Sequence, residues 1–178
     1  PASLACAREL ALFGYDVTIY EANEKAGGVL TYGIVPSRLP QEVVDFDIAT
    51  IEKLGVTFKF NETIDAARLE ELKAEYDAVF VGTGLWKSKV IDIPGKDLDG
   101  VASAIDFLKD ARLNKENMTL GDTVLVIGGG DVAMDCVTTA KQLGAKATIV
   151  YRRTIEEAPA DIDEVMAVQS MGIPIIQE

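Results

Sequence analysis

The 178-residue chain has 48% hydrophobic and 26% charged residues, a composition typical of a folded globular protein. Its formal net charge of -12 argues against nucleic acid as a partner, and no apolar run approaches the roughly 20 residues that cross a bilayer. Cys6 and Cys136 form neither a C-x-x-C motif nor a disulfide framework. We therefore expect a cytoplasmic protein with reduced thiols and without a membrane partner.

The first part of the chain is predicted to form helices and short strands around one long loop. The predicted elements are a helix at 2–12, a strand at 17–20, a helix at 41–54, a strand at 57–60, a helix at 66–75 and a buried strand at 78–81. The intervening segment, residues 22–40, is punctuated by glycine and proline, and loops of this length are usually functional.

Beyond an irregular stretch at 85–100, strands and helices alternate. The predicted elements are a helix at 103–113, a buried strand at 123–127, a helix at 131–143, a strand at 147–151, a helix at 160–170 and a strand at 173–176. This alternation predicts an α/β fold with a parallel sheet and helices on both of its faces. We place a partial first domain at 1–106 and a partial second domain at 107–178.

Shifting the sequence by 130 positions aligns two helix-strand units, with Cys6 on Cys136 and Gly14 on Gly144. The second unit carries the motif G-x-G-x-x-A at residues 128–133, between a strand and a helix, which predicts dinucleotide binding. Gly128 permits the tight turn, and Gly130 lets the backbone approach a pyrophosphate. In the first unit the shift places Ser3 in the third small-residue position, so that the two glycines of its motif would precede Pro1. We expect an internal fragment of two Rossmann-like units, truncated at both ends.

The end of the second strand in each unit predicts which nucleotide is bound. Glu21 lies 18 residues after Ser3, where an acidic residue accepts a hydrogen bond from a free ribose 2'-hydroxyl, so the first unit favours FAD or NAD. The same count from Ala133 reaches Tyr151, which is followed by Arg152 and Arg153. An arginine pair suits a 2'-phosphate, so the second unit favours NADP.

These residues resemble the flavin- and NADPH-binding portion shared by the small subunit of NADPH-dependent glutamate synthase and the N-terminal half of dihydropyrimidine dehydrogenase. The matching motifs cover essentially the whole chain and lie at residues 20–22, 27–34, 38–40, 82–84, 93–95, 126–136 and 150–153. The loop that ends in Arg38-Leu39-Pro40 is the most discriminating, since generic flavoenzymes with two dinucleotide sites lack it.

The resemblance implies an FAD-binding domain into which an NADPH-binding domain is inserted. The residues carried over to FAD are Glu21, Gly28, Val29, Arg38, Ile64, Gly82, Thr83 and Gly84. The residues carried over to NADP are Gly128, Gly129, Gly130, Asp131, Val132, Arg152 and Arg153. The family's iron-sulfur clusters lie elsewhere in the full-length protein, so the resemblance also implies an iron-sulfur or larger subunit or domain as electron acceptor.

In such an enzyme NADPH gives hydride to FAD, and the electrons leave one at a time. We name no catalytic side chain, and the sequence has no histidine. A thioredoxin-reductase-like flavoenzyme would need a redox-active cysteine pair, whereas Cys6 and Cys136 are expected to pack in equivalent helices. A non-catalytic NADP-binding module is the other alternative. Glutamate synthesis and pyrimidine reduction are both left open.

Overall fold

The computed structural model describes residues 1–88 and 91–178 and divides into two compact units, Pro1–Trp86 and Lys87–Glu178. The first unit contains helices α1 (Ala2–Leu12), α2 (Val29–Tyr32), α3 (Gln41–Lys53) and α4 (Ala66–Glu75) and strands β1 (Thr18–Glu21) and β2 (Thr57–Phe60). The second contains helices α5 (Ala104–Leu113), α6 (Asp131–Gln142) and α7 (Ile162–Ser170), strands β3 (Thr123–Ile127), β4 (Lys146–Val150) and β5 (Ile175–Ile176), and two short 3-10 helices, Lys115–Asn117 and Ile155–Glu157.

In the first unit β1 and β2 pair in parallel, with Thr18 opposite Thr57 and Glu21 opposite Phe60. A small core of Ala7, Ile51 and Val56 joins α1, α3 and the strands. Helix α1 begins and ends as its alanine- and leucine-rich sequence predicts.

The loop at 22–40 is tightly packed and includes the single turn α2, which the sequence pattern does not predict. The buried Thr31 hydroxyl donates to the Ala26 carbonyl at 2.6 Å. The Lys25 N–H donates to the Tyr32 hydroxyl at 2.9 Å, and the Tyr32 ring meets Trp86 edge to face, with 6.4 Å between ring centroids. Two contacts within the loop and one to Trp86 outside it therefore fix its conformation.

The predicted buried strand at 78–81 is wrong. Val79, Phe80 and Val81 are 37%, 58% and 65% exposed, and the segment pairs with no strand among the described residues. A strand needs a hydrogen-bonded neighbour, and an apolar run alone does not supply one. Within the predicted irregular stretch at 85–100, residues 89 and 90 lie outside the described part of the chain.

In the second unit β3, β4 and β5 form a parallel sheet in that order. The α/β class with parallel sheets is therefore confirmed. Alternate strand residues, with Ile149 fully buried among them, pack against α6 and α7. On the opposite face Leu125, Ile127 and Ile176 are 61%, 52% and 57% exposed. The prediction of helices on both faces, and of a β3 buried on both sides, is thus wrong for the described residues.

Helices α1 and α6 end in the same way, 130 positions apart. Gly14 has a φ of 87° and Gly144 a φ of 95°, a region that favours glycine. Their N–H groups donate to the carbonyls of Ala11 and Lys141 at 2.9 and 3.0 Å, and the following residue in each case donates to the carbonyl five positions back. The predicted repeat therefore has matching helix ends. None of the helices in residues 1–88 and 91–178 has the length and hydropathy of a membrane span.

Candidate dinucleotide-binding sites

The glycine loop of the second unit, which we define as residues 128–130, joins β3 to α6. The Gly128 N–H donates to the Val150 carbonyl at 3.0 Å, so the loop lies beside the end of β4. Gly128 has a φ of 149°, and a methyl group there would come within 3.3 Å of the Ala133 Cβ. This position therefore requires glycine both for its backbone angle and for close packing of helix on strand.

Gly129 is buried beneath an aromatic ring. A Cβ built on it would lie 2.6 to 2.7 Å from three ring atoms of Tyr151. The Gly129 carbonyl also accepts a hydrogen bond from the Ala160 N–H at 3.2 Å. The middle of the loop is therefore enclosed by Tyr151, which follows β4, and by the chain just before α7.

Gly130 is the N-cap residue of α6 and offers no capping side chain, as is also the case for α1, α2 and α3. Helices α4, α5 and α7 are capped by Asp65, Ser103 and Asp161, each of which accepts a hydrogen bond from a backbone N–H of its first turn. At α6 the N–H groups of Asp131 and Val132 have no acceptor within the described ranges. Free N–H groups at a helix start form an anion-binding position.

Arg152 and Arg153 are exposed and are separated from β4 only by Tyr151. Together with Tyr151 and Glu178 they line an open cleft of about 570 Å³. Neither arginine has an ion-pair partner within the part of the chain that the structure describes. Both guanidinium groups can therefore receive a phosphate.

The other two predicted residues of this site differ in their surroundings. The Asp131 carboxylate accepts a hydrogen bond from the Asp161 N–H at 2.8 Å, which ties the start of α6 to the chain before α7. Val132 is 45% exposed on the first turn. Asp131 thus organises the loop through its side chain, and Val132 offers its backbone N–H.

In the first unit, two predicted glycines meet at the start of α1. The Ser3 hydroxyl donates to the Gly82 carbonyl at 3.3 Å, and a Cβ at Gly82 would lie 2.2 Å from that hydroxyl oxygen. A Cβ at Gly28 would lie 3.4 Å from the Pro1 Cδ. The missing side chain of Gly82 lets its loop approach the helix start closely, whereas a Cβ at Gly28 would make an ordinary van der Waals contact.

The Glu21 carboxylate at the end of β1 is half-buried and held by its neighbour. Its Oε1 accepts from the Asn23 backbone N–H at 2.9 Å and from the Asn23 amide Nδ2 at 2.7 Å. Both hydrogen bonds use the same oxygen, and Oε2 has no protein donor in residues 1–88 and 91–178. Glu21 is thus oriented, and one carboxylate oxygen can accept a ribose hydroxyl.

The remaining predicted residues of this unit are dispersed. Val29 is half-buried in the single turn α2, and Ile64 is half-buried between β2 and α4. Arg38 is exposed near the end of the long loop, and Thr83 is exposed beside Gly84, whose φ is 74°. Only Gly28 and Gly82 among the predicted flavin residues are brought to the start of α1 by a described contact.

Three positions in these sites have no motif that identifies them in the sequence. Ser3 bonds the Gly82 carbonyl, Tyr151 covers Gly129, and Asp161 bonds the Asp131 carboxylate. The shift by 130 residues does reach Ser3 and Tyr151, and the fact that Tyr151 replaces the expected acidic residue is a usable signal. Asp161 carries only the signal of a helix cap.

The two cysteines do not form a redox pair. Both are free thiols, and Cys136 is only 4% exposed. Burial, with a smaller contribution from the neighbouring Asp135 carboxylate, raises the pKa of Cys136 to about 12. A thiol of this kind stays protonated at neutral pH and is a poor nucleophile, which argues against a dithiol mechanism.

The chain is similar to proteins of known function along nearly its whole length. A family model described as pyridine nucleotide-disulphide oxidoreductase matches residues 1–176. The NAD-dependent dihydropyrimidine dehydrogenase subunit PreT of Escherichia coli K12 is 44% identical over 99% of this chain and 43% of its own length. The small chain of NADPH glutamate synthase from Azospirillum brasilense is 36% identical over 99% of this chain and 39% of its own length.

Among solved structures, a 2-naphthoyl-CoA reductase complex superposes with a TM-score of 0.79 and 24% identity, covering 98% of this chain and 26% of that one. This likeness supports the fold alone. The chain spans less than half the length of these curated relatives and about a quarter of the solved structure.

Proposed function

The chain belongs to the pyridine nucleotide-disulphide oxidoreductase family, and from that membership we propose that it forms part of a cytoplasmic flavoenzyme that takes electrons from NADPH. In this proposal the first unit holds FAD and the second holds NADPH. The electrons pass to iron-sulfur clusters in another domain or subunit. The cofactor-based domain limits, 1–106 and 107–178, and the assignment of two Rossmann-like units are parts of the same proposal.

The observation that carries the proposal is the geometry of the glycine loop in the second unit. The Gly128 N–H donates to the last residue of β4, so the glycine loop lies beside the end of that strand. The uncapped start of α6 follows the glycine loop, and the arginine pair follows Tyr151, the residue after β4. Free N–H groups suit a pyrophosphate, and the exposed guanidinium groups suit a 2'-phosphate. A nucleotide that carries both groups is NADPH.

Fewer structural features of the first unit support FAD binding than features of the second unit support NADPH binding. Gly28 and Gly82 bring two loops to the start of α1 at positions without side chains, as a dinucleotide-binding turn requires, and the oriented Glu21 carboxylate suits a free ribose hydroxyl. Val29, Arg38, Ile64, Thr83 and Gly84 are proposed from the resemblance to line the rest of this site. FAD, when bound, supplies the chemistry of accepting hydride and releasing single electrons.

The side chains of this chain bind and orient, and none is assigned proton transfer. Glu21 orients a ribose, Arg152 and Arg153 hold a phosphate, and the glycines admit the backbone to the pyrophosphate. The sequence has no histidine, and Cys136 is buried with a raised pKa. We therefore propose that rate and specificity depend on nucleotide placement.

Some of the relatives are named for NAD and others for NADPH. PreT is named as NAD-dependent, whereas the glutamate synthase small chain is named for NADPH. The choice of NADPH for this chain therefore rests on two features: Tyr151 stands where an NAD site has a carboxylate, and the exposed pair Arg152 and Arg153 follows it. Both names also denote a part of a larger enzyme, which supports a partner subunit as electron acceptor.

The test is a titration of the intact protein with NADPH and with NADH, in the wild type and in the double variant Arg152→Ala, Arg153→Ala. We expect the wild type to prefer NADPH and the double variant to lose most of that preference, since each charge-assisted phosphate contact contributes about tenfold or more in affinity. A visible absorption spectrum of the same preparation reports whether flavin is bound.

The matched control is Lys115→Ala, Lys146→Ala, which removes two exposed positive charges elsewhere in the same unit. This control changes the net charge by the same amount and should keep the coenzyme preference. Equal affinities for NADPH and NADH in the wild type would contradict the NADPH assignment. A colourless protein that still binds NADPH would contradict the flavoenzyme and support a nucleotide-binding module.

A further inference from the structure

We infer that Tyr151 is a positioning residue for coenzyme selection, and that Gly129 is a glycine in order to seat the Tyr151 ring. The inference rests on the proposed NADPH site and goes beyond it. In the G-x-G-x-x-A motif the position of Gly129 is free to vary, so the motif does not explain why a third glycine stands there.

The reason for glycine at 129 is space, because its backbone angle lies outside the left-handed region that side chains avoid. A Cβ there would lie 2.6 Å from Cε2 and 2.7 Å from Cδ2 and Cζ of Tyr151. Contacts of this length between a Cβ and a ring do not occur in folded proteins, so any larger residue must move the ring.

We expect the ring not to move alone, because Tyr151 is held through its backbone and through its side chain. Its backbone N–H donates to the Ile176 carbonyl at 2.8 Å, and its ring packs against the core beneath the sheet. Its hydroxyl donates to the Glu157 carbonyl at 3.4 Å. Displacing the ring therefore shifts the end of β4, to which the arginine pair is covalently joined.

The chain that follows the arginines returns to the glycine loop and forms a hydrogen bond with it. Thr154 and Glu157 form a reciprocal cap around the 3-10 helix Ile155–Glu157, and three residues later the Ala160 N–H donates to the Gly129 carbonyl at 3.2 Å. Gly129 is thus held between the Tyr151 ring and Ala160. The Tyr151 ring on Gly129 therefore links the proposed pyrophosphate position to the proposed 2'-phosphate position, in addition to the hydrogen bond from the Gly128 N–H to the Val150 carbonyl.

The consequence is specific for the 2'-phosphate. Moving the ring changes where Arg152 and Arg153 lie relative to the glycine loop, which lowers the affinity for NADPH. The affinity for NADH should change less, because NADH lacks the 2'-phosphate. A purely structural role for Tyr151 would lower the affinity for both coenzymes equally. The ratio of the two affinities therefore distinguishes positioning from general destabilisation.

The experiment is a double-mutant cycle on the intact protein with Gly129→Ala and Tyr151→Ala, measuring NADPH affinity, NADH affinity and the thermal unfolding midpoint. We expect Gly129→Ala to lower the preference for NADPH by about tenfold, and Tyr151→Ala to lower it similarly. In the Tyr151→Ala background the added methyl group at 129 should change neither the preference nor the unfolding midpoint further. Tyr151→Phe, which keeps the ring, should retain the wild-type preference.

Two further variants serve as controls. Gly121→Ala adds a methyl group where nothing lies within 4 Å and should change none of the measured quantities. Gly130→Ser acts at the start of α6 and should weaken NADPH and NADH equally.

The inference is overturned if Gly129→Ala weakens both coenzymes equally, or acts as strongly without the Tyr151 ring as with it. Gly129 would then serve the pyrophosphate directly. It is also overturned if Tyr151→Ala binds as the wild type does. Failure of the proposed function is a separate result, since the wild type alone would then bind neither coenzyme or would bind both equally.

Discussion

Gly130 is the residue at which the proposed binding role and helix stability oppose each other. It is the N-cap of α6 with φ −97° and ψ 174°, extended angles that are ordinary for a helix cap of any residue type. Its missing Cβ would meet only the Pro159 Cγ, at 3.9 Å. Neither strain nor crowding within the protein therefore requires glycine there, which leaves close approach of a ligand as the reason.

We predict that Gly130→Ser stabilises the protein and weakens nucleotide binding. Serine is a preferred helix cap, and its hydroxyl would accept from the free N–H groups of α6, which raises the free energy of unfolding by a few tenths of a kcal/mol. The same hydroxyl competes with the pyrophosphate, so NADPH affinity should fall by about tenfold or more. Chemical denaturation and coenzyme titration measure the two quantities. A variant that gains stability and binds NADPH as the wild type does would show that the N–H groups are not used.

Cys136 gives a pH-dependent prediction. Burial raises the pKa of Cys136 from its ordinary value of 9.0 to about 12. In the unfolded chain the thiol ionises near the ordinary value, so above that pH the unfolded state loses a proton that the folded state keeps. The contribution of this thiol to stability is therefore fully present below about pH 9 and is lost as the pH rises toward about 12.

The unfolding midpoint of the wild type should consequently be lower at about pH 10 than at about pH 8. The decrease should be smaller for Cys136→Ala, which has no thiol at this position to ionise. A second readout is thiol labelling of the folded protein near neutral pH, where half-buried Cys6 should react and Cys136 should react only after unfolding. Equal slopes in the two proteins, or rapid labelling of Cys136, would contradict the assigned pKa.

Among the elements, the loop at 22–40 contains a buried side-chain hydrogen bond whose contribution can be tested by substitution. The hydrogen bond from the Thr31 hydroxyl to the Ala26 carbonyl is buried. Gly27 packs directly against it, since a Cβ at Gly27 would lie 2.1 Å from the Thr31 hydroxyl oxygen. Thr31→Val keeps the volume and removes the donor, leaving a buried carbonyl without this bond. We expect a loss of about 1–3 kcal/mol in the free energy of unfolding.

The matched control is Thr50→Val in α3, whose hydroxyl donates to the Phe46 carbonyl at 2.9 Å on an exposed surface. Water replaces that bond, so this variant should unfold within about 0.5 kcal/mol of the wild type. If the loop presents Gly28 and Val29 to flavin, Thr31→Val should also release FAD faster. An equal loss of stability in both variants would contradict the buried role of Thr31.

How well each element can be predicted from sequence depends on whether the residues that stabilise it are local or distant in the chain. The helices at 2–12 and 66–75 and the strand at 123–127 were predicted with their observed limits, because their periodicity and capping residues are local. The strand at 78–81 was wrong because strand formation depends on a neighbour that periodicity cannot reveal. The turn α2 was missed because Thr31 and Tyr32 stabilise it through contacts back to residues 25 and 26.

The candidate sites divide in the same way. The glycine loop and the arginine pair are readable from a motif and a residue count, whereas the Tyr151 ring on Gly129 joins residues 22 positions apart for which no motif exists. Sequence spacing assigned Tyr151 to the position of the expected acidic residue, but only the structure shows what its ring covers. The roles of Arg38 and Ile64 stay predictions, because no described contact brings them to the start of α1.

For the whole molecule, net charge and local charge act on the coenzyme in opposite directions. The chain carries a formal charge of -12, which repels an anionic coenzyme at long range, while Arg152 and Arg153 attract its phosphate at short range. Added salt screens both effects over a Debye length of about 10 Å at 0.1 M. The sign of the salt dependence therefore reports which of the two dominates binding.

We predict that salt weakens NADPH binding to the wild type, because direct phosphate contacts release counterions when they form. In the double variant Arg152→Ala, Arg153→Ala the net charge becomes -14, two positive charges fewer than -12, and the attraction is gone. Salt should then leave NADPH binding unchanged or strengthen it, since only the long-range repulsion is left to screen. The measurement is the slope of the logarithm of NADPH affinity against the logarithm of KCl concentration. Parallel slopes in the two proteins would mean that the arginine pair does not contact the phosphate, because the double variant retains every other charge of the molecule.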